Sequence, residues 1–162
     1  MTADITKLSK LVGEKLLANK WSICTAESIT GGLVADALVQ TSGASKYFKG
    51  GVVSYTNAVK SRVLGVEWTL LIAKGAVDPE VAFQMCVGAI KAMDTDCAIS
   101  TTGYAQAGEK GEKGEKAGLV YVGVITPQKR IVRQFNLCED DELSRNQVRH
   151  LALEQALKLF LE

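Results

Sequence analysis

From Asp4 to Lys20 the apolar residues Ile5, Leu8, Leu11, Val12 and Leu16 fall three and four positions apart among charged neighbours. That spacing gathers them on one stripe and predicts an amphipathic helix. The pattern then shortens, and Trp21 to Ala26 predicts a strand. Leu33, Ala37 and Leu38 restore the helical period, starting within the pair Gly31-Gly32, and Thr41-Ser42-Gly43 supplies the stop. Gly50 to Thr56 is β-branched and aromatic enough to predict a second strand, with a short helix over Asn57 to Leu64 directly behind it.

Asp78-Pro79-Glu80 is the most explicit helix start in the chain: an aspartate to cap it, a proline at its first position, then a stripe of Val81, Met85, Ala89 and Ala92 ending near Asp94. Cys97 to Thr101 predicts a buried strand. Leu119 to Thr126 and Arg130 to Leu137 predict two more, joined at Pro127-Gln128-Lys129, before a last helix striped by Val148, Leu151, Ala152, Gln155 and Leu159. Strands alternating with helices and then running together predict one α/β domain over residues 1–162, with helices packed on a mixed sheet.

Composition narrows the function classes more than the fold. With 162 residues, 47% of them hydrophobic, the chain has the length of one domain able to bury its own core. Nineteen basic against 18 acidic residues leave a net charge of +1, too little to draw the protein to nucleic acid or a membrane surface. Cys24, Cys86, Cys97 and Cys138 form no CxxC pair and His150 is the single histidine, so no recognisable metal-ligand spacing exists and reduced, buried thiols are expected. No apolar run approaches the roughly 20 residues of a membrane span, and MTADITKLSK lacks the order of a secretion signal, which makes the cytoplasm the expected compartment. Gly108 to Lys116 is GEK repeated three times and reads as a solvated loop, with a lid over a site as the alternative.

Chemistry concentrates in three polar stretches at predicted strand ends. In TAESITGG, Thr25 to Gly32, Ser28 sits where a strand gives way to a helix, a place that suits a helix cap, a phosphate contact or a nucleophile equally. VVSYTNAVKS carries Tyr55 and Lys60, and ISTTGYAQAG carries Ser100, Thr101, Thr102 and Gly103. Open α/β sheets gather their sites at strand ends, so these stretches are expected to share a cleft.

Convergence of Ser28 with Lys60 would make a serine–lysine pair in which a neutral amine takes the hydroxyl proton. The lysine then needs a lowered pKa, from burial or from a neighbouring cation such as Arg145 or Arg149. The same arginines suit a phosphate or carboxylate on a ligand, and the N–H groups near Gly31 and Gly32 suit an oxyanion. Tyr55 suits either the lysine or a wet, packed aromatic position. Each residue also has a plainer use: Lys60 as a solvated helix charge, Arg149 in a surface ion pair, the threonines as strand formers, and His150 beside a helix core stripe.

Taken in order, TAESITGG, GASKYFKGGVVSYTNAVKSRVLGV, GAV, TTG and SRNQVRHLAL span nearly the whole chain and resemble the CinA C-terminal domain family, the nicotinamide-nucleotide amidases. The resemblance implies a three-layer α/β/α fold, often dimeric, in a stand-alone form. It also implies hydrolysis of the carboxamide of nicotinamide mononucleotide to nicotinate mononucleotide and ammonia, with no metal or cofactor. Under it Ser28 is the nucleophile, with Tyr55 and Lys60 catalytic beside it. Gly31, Gly32, Thr102, Gly103, Arg145 and Arg149 then fall to substrate binding. The implied partner is a small nucleotide, with neither nucleic acid nor membrane involved. One departure stands out: where the family reads T-G-I-A-G-P, this chain reads TGYAQA, so Gln106 and Ala107 replace glycine and proline. That substitution keeps a second class in view, a module that binds a nucleotide or a protein without hydrolysing the amide.

Overall fold

The computed structural model describes residues 3–106, 116–138 and 143–162. Among the described residues, six α-helices and five strands follow the chain as α1 (Ala3–Asn19), β1 (Ile23–Glu27), α2 (Leu33–Val39), β2 (Phe48–Val53), α3 (Asn57–Leu64), α4 (Trp68–Lys74), α5 (Pro79–Met93), β3 (Cys97–Gly103), β4 (Leu119–Ile125), β5 (Arg130–Asn136) and α6 (Arg145–Leu161), with a single 3-10 turn at Ala44–Lys46 before β2. The sheet order is β2-β1-β3-β4-β5. β1 pairs in parallel with β2 and β3, while β4 runs antiparallel to both β3 and β5. The sheet is therefore mixed. Ile23 joins the core shared with α1, α2 and α6, whereas Cys24 and Ala26 join the core shared with α3, α4 and α5. Successive β1 side chains point to opposite faces, which gives the three-layer α/β/α arrangement expected from the motifs.

All five residues of β1 are buried, since helices cover both faces of this central strand. The parallel strands β1, β2 and β3 end together on one side of the sheet, the usual place for a site in such folds. Among the described residues no helix is long and apolar enough to cross a membrane.

Two elements differ from the sequence expectation. β2 stops at Val53 instead of continuing to Thr56, because the Thr56 hydroxyl accepts from the Val59 N–H and caps α3. Threonine suits a strand and an N-cap alike, and the cap prevails. α4 is the unexpected helix: its apolar residues Trp68, Leu71 and Ile72 stand at helical spacing but span little more than one turn, and of the three only Leu71 is buried. α3 is held against the molecule by α5 at Gly88, where an added Cβ would lie 1.8 Å from the Leu64 carbonyl oxygen. Only a residue without a side chain admits that approach.

Candidate active site

The nucleophile candidate follows β1 with no intervening residue. Ser28 donates its N–H to the Thr101 carbonyl at 2.9 Å, which ties it to the end of β3, and accepts the Gly31 N–H at 3.2 Å in a tight turn. Its side chain is not a helix cap; that position belongs to Gly32. Instead, Lys60 Nζ reaches Ser28 Oγ at 2.9 Å and the Ser54 carbonyl at 2.6 Å. Lys60 comes from α3 on the opposite layer from α2, so β1 and α3 each bring one member of the pair.

Lys60 is fully buried, one of the largest side chains in the core. Burial pulls its amine from the ordinary 10.5 down to about 8, because the surroundings cannot solvate an ammonium ion. The alternative cause weighed from sequence, repulsion by Arg145 or Arg149, has no part in it. A neutral amine in this position donates to Ser54 and offers its lone pair to the Ser28 hydroxyl. Ser28 lines a cleft of about 230 Å³ and Lys60 does not, so the amine lies behind the hydroxyl.

Glu27 carries a role that the sequence reading missed. Its carboxylate, 1% exposed, accepts the Thr30 hydroxyl at 2.7 Å and the N–H groups of Gly32 at 2.9 Å, Val34 at 3.0 Å and Ala35 at 2.8 Å. It thus fills the positive end of α2 with a charge of the protein's own. Thr30 spends its proton on Glu27, so in the 2.7 Å contact between the Thr30 and Thr101 hydroxyls the donor is Thr101. The available signal was an acid closing an apolar strand just ahead of a glycine pair and a helix.

This arrangement corrects the expected use of the glycine pair. Gly31 and Gly32 have φ of 59° and 103°, a left-handed bend that turns α2 back over Glu27. The Gly32 N–H is taken by that carboxylate and the Gly31 N–H by Ser28, which leaves neither for an oxyanion. Arg149 is likewise engaged: Nε donates to the Ile29 carbonyl at 3.2 Å, Nη2 to the Thr30 carbonyl at 2.9 Å and Nη1 to Asn146.

Arg145, in contrast, lines the cleft and donates to the Tyr55 hydroxyl at 2.5 Å. Tyr55 is therefore oriented by Arg145, at the cleft mouth, and stands over half exposed at 56%. Thr102 and Gly103 form the opposite wall with Tyr104 and Gln106. The Thr102 hydroxyl donates to the Ala76 carbonyl at 2.7 Å, which pins β3 to the segment before α5. Gln106 is exposed at the wall. Ala107 and residues 108–115 of the GEK run lie outside the described residues.

Other candidates fall away from the cleft. His150 is exposed and contacts the Asn146 carbonyl on its own helix. Ser100 donates to the Ala82 carbonyl and faces α5. Cys24, Cys86 and Cys97 are buried, with burial raising the first thiol and pushing the other two up to about 12. Such thiols are inert at neutral pH.

The family model for the CinA C-terminal domain matches residues 5–162. This chain belongs to that family. A CinA-like protein of Salinibacter ruber is 39% identical over 156 residues, covering 96% of this chain and 37% of that protein. A second CinA-like protein, from Chloroherpeton thalassium, is 43% identical over 128 residues, covering 79% of this chain and 30% of its own length. The chain thus spans about a third of these CinA-like relatives. Among solved structures, the competence/damage inducible protein CihA of Agrobacterium tumefaciens superposes with a TM-score of 0.92 at 29% identity, covering 99% of this chain and 96% of that one. A CinA superfamily protein of Escherichia coli superposes at 0.85 and 30% identity, covering 100% of this chain and 94% of that one.

Proposed function

We propose that this CinA C-terminal domain is an amidase acting on the carboxamide of nicotinamide mononucleotide. The observation that carries the reading is the buried Lys60 amine at hydrogen-bond distance from a cleft-lining serine hydroxyl. In the proposed reaction Ser28 Oγ attacks the amide carbon while the neutral Lys60 amine takes its proton. Lys60 then returns that proton to the departing nitrogen, so ammonia leaves and an ester to Ser28 remains. Water adds to the ester with Lys60 again as base, releasing nicotinate mononucleotide and freeing Ser28.

Substrate charge supports the same assignment. The nucleotide brings one phosphate, and among the described residues Arg145 is the cleft-lining cation, already oriented through Tyr55. With the start of α2 filled by Glu27, recognition of that phosphate falls to Arg145 and not to a helix terminus. We further propose that the protein works in the cytoplasm as a homodimer.

The test is ammonia release from nicotinamide mononucleotide by the wild type and by Ser28→Ala. Release by the wild type alone supports the amidase. The exposed Gln106 in the cleft wall favours a second reading, a module that binds the nucleotide without hydrolysis. Calorimetric binding of the nucleotide with no ammonia from the wild type would select it.

A further inference from the structure

The turn that presents Ser28 is gripped from two sides by side chains of opposite charge. The Glu27 backbone is locked in the sheet, with its carbonyl accepting the Ser54 N–H at 2.8 Å, and its carboxylate is locked to the first turn of α2. Four residues separate Glu27 from Gly32, yet both ends of that short loop meet at one carboxylate. On the other side the Arg149 guanidinium holds the carbonyls of Ile29 and Thr30, and Asn146 fixes the plane of that guanidinium. The carboxylate takes donors and the guanidinium takes acceptors. Between them lies the loop whose first residue is the nucleophile.

We infer that Glu27 and Arg149 are positioning residues that hold Ser28 Oγ on Lys60, Glu27 through the N–H groups of the following turn and Arg149 through its carbonyls. The inference rests on the reading of Ser28 as nucleophile and deepens it. Neither side chain lines the cleft, so each acts through the turn and not on the substrate. Charge is needed as well as shape on the Glu27 side. Oε2 accepts three donors and Oε1 a fourth, so the amide of a glutamine would set its own N–H₂ against at least one N–H it must accept. The turn would then relax toward a different bend. A small displacement of a reacting atom is enough to slow chemistry about a hundredfold.

The experiment reads Ser28 itself, without the nucleotide. Diisopropyl fluorophosphate is a small probe in which the serine oxygen attacks phosphorus, fluoride leaves and the hydroxyl proton passes to the base. Its rate of addition to the full chain is followed by intact mass, with Ser28→Ala as the blank. Glu27→Gln and Arg149→Gln are each expected to label at least tenfold more slowly than the wild type. The midpoint of the pH–rate curve should stay in place, because the base is untouched, and folding should be retained by circular dichroism. In the amidase assay the same variants should lose kcat with KM held.

A folded variant that labels at the wild-type rate overturns the role of the residue changed. Should Glu27→Gln not fold, Thr30→Val removes one of the four donors and leaves the carboxylate in place; wild-type labelling by that variant overturns the role of Glu27. A wild type that is not labelled at Ser28 overturns both the nucleophile and this inference. A wild type that is labelled but releases no ammonia overturns only the choice of amide substrate.

Discussion

Lys60 Nζ lies 2.9 Å from Ser28 Oγ, and among the described residues no carboxylate pairs with that amine. Burial without a counter-ion brings the amine's pKa down to about 8, so a fraction of it is neutral near pH 7 and able to act as a general base. Ser28→Ala is accordingly expected to abolish ammonia release while leaving the fold and the thermal transition unchanged. Retained turnover at the wild-type rate would remove Ser28 from the chemistry.

The pH dependence of activity follows from the same amine. With the Lys60 pKa at about 8, the fraction able to accept a proton grows roughly tenfold per pH unit below that value and levels off above it. The rate of ester formation is expected to show this single rising limb. Lys60→Arg, whose side chain stays charged, should lower turnover by about 10²- to 10⁴-fold and erase the limb. A wild-type profile flat from pH 6 to 9 would exclude Lys60 as base.

Stability carries the opposite signature from that of a paired lysine. Below about pH 8 the amine is charged in both folded and unfolded chains, and burial of that charge weighs against folding in full. Between about 8 and 10.5 the folded chain has released the proton and the unfolded chain still holds it, so stability rises with pH. The slope reaches at most about 1.4 kcal/mol per pH unit. Lys60→Met should be the more stable protein at pH 7, with the gap narrowing by pH 9.5; urea midpoints at the two pH values measure this.

Arg145 and Tyr55 form one unit at the cleft mouth. Arg145→Ala is expected to raise KM for the nucleotide about tenfold, the loss of one charge-assisted contact, with kcat little changed. Tyr55→Phe frees the guanidinium and should raise KM less. Steady-state kinetics on the phosphate-free nucleoside provides the control, because that substrate has nothing for Arg145 to hold. An equal KM increase on both substrates would place Arg145 elsewhere in the mechanism.

Gly88→Ala is expected to destabilise the fold by about 1–3 kcal/mol, since the new methyl group meets the Leu64 carbonyl and the helices must separate. Denaturant midpoints report the loss. The same variant should lose activity beyond its loss of stability, because α3 carries Lys60. Wild-type kcat in the folded variant would show that α3 does not move with α5.

The parts of this molecule that sequence foretells are those with local causes. Asp78-Pro79-Glu80 announces α5 because cap, proline and first turn are neighbours in the chain, and the Asp78 side chain does accept the Glu80 N–H. The meeting of three strand ends follows from the βαβ pattern. What escaped has causes several residues away or across the fold. Lys60 stands in the sequence as a candidate base, but its full burial appears only when the sheet is laid against α3. Glu27 reads as one more polar residue beside a serine, because its donors assemble only when Gly31 and Gly32 adopt left-handed bends. Arg149 reads as a partner for substrate, since nothing in a helix sequence shows that two carbonyls of a distant turn will claim it.

The two members of the serine–lysine pair hang on separate layers, one on the strand side of α2 and the other on a helix kept in place largely by α5. Packing between layers loosens before the sheet itself gives way. Warming or mild urea is therefore expected to silence the site at a lower dose than melts the secondary structure. Turnover then becomes a finer gauge of how well the layers hold together than any spectrum of the backbone.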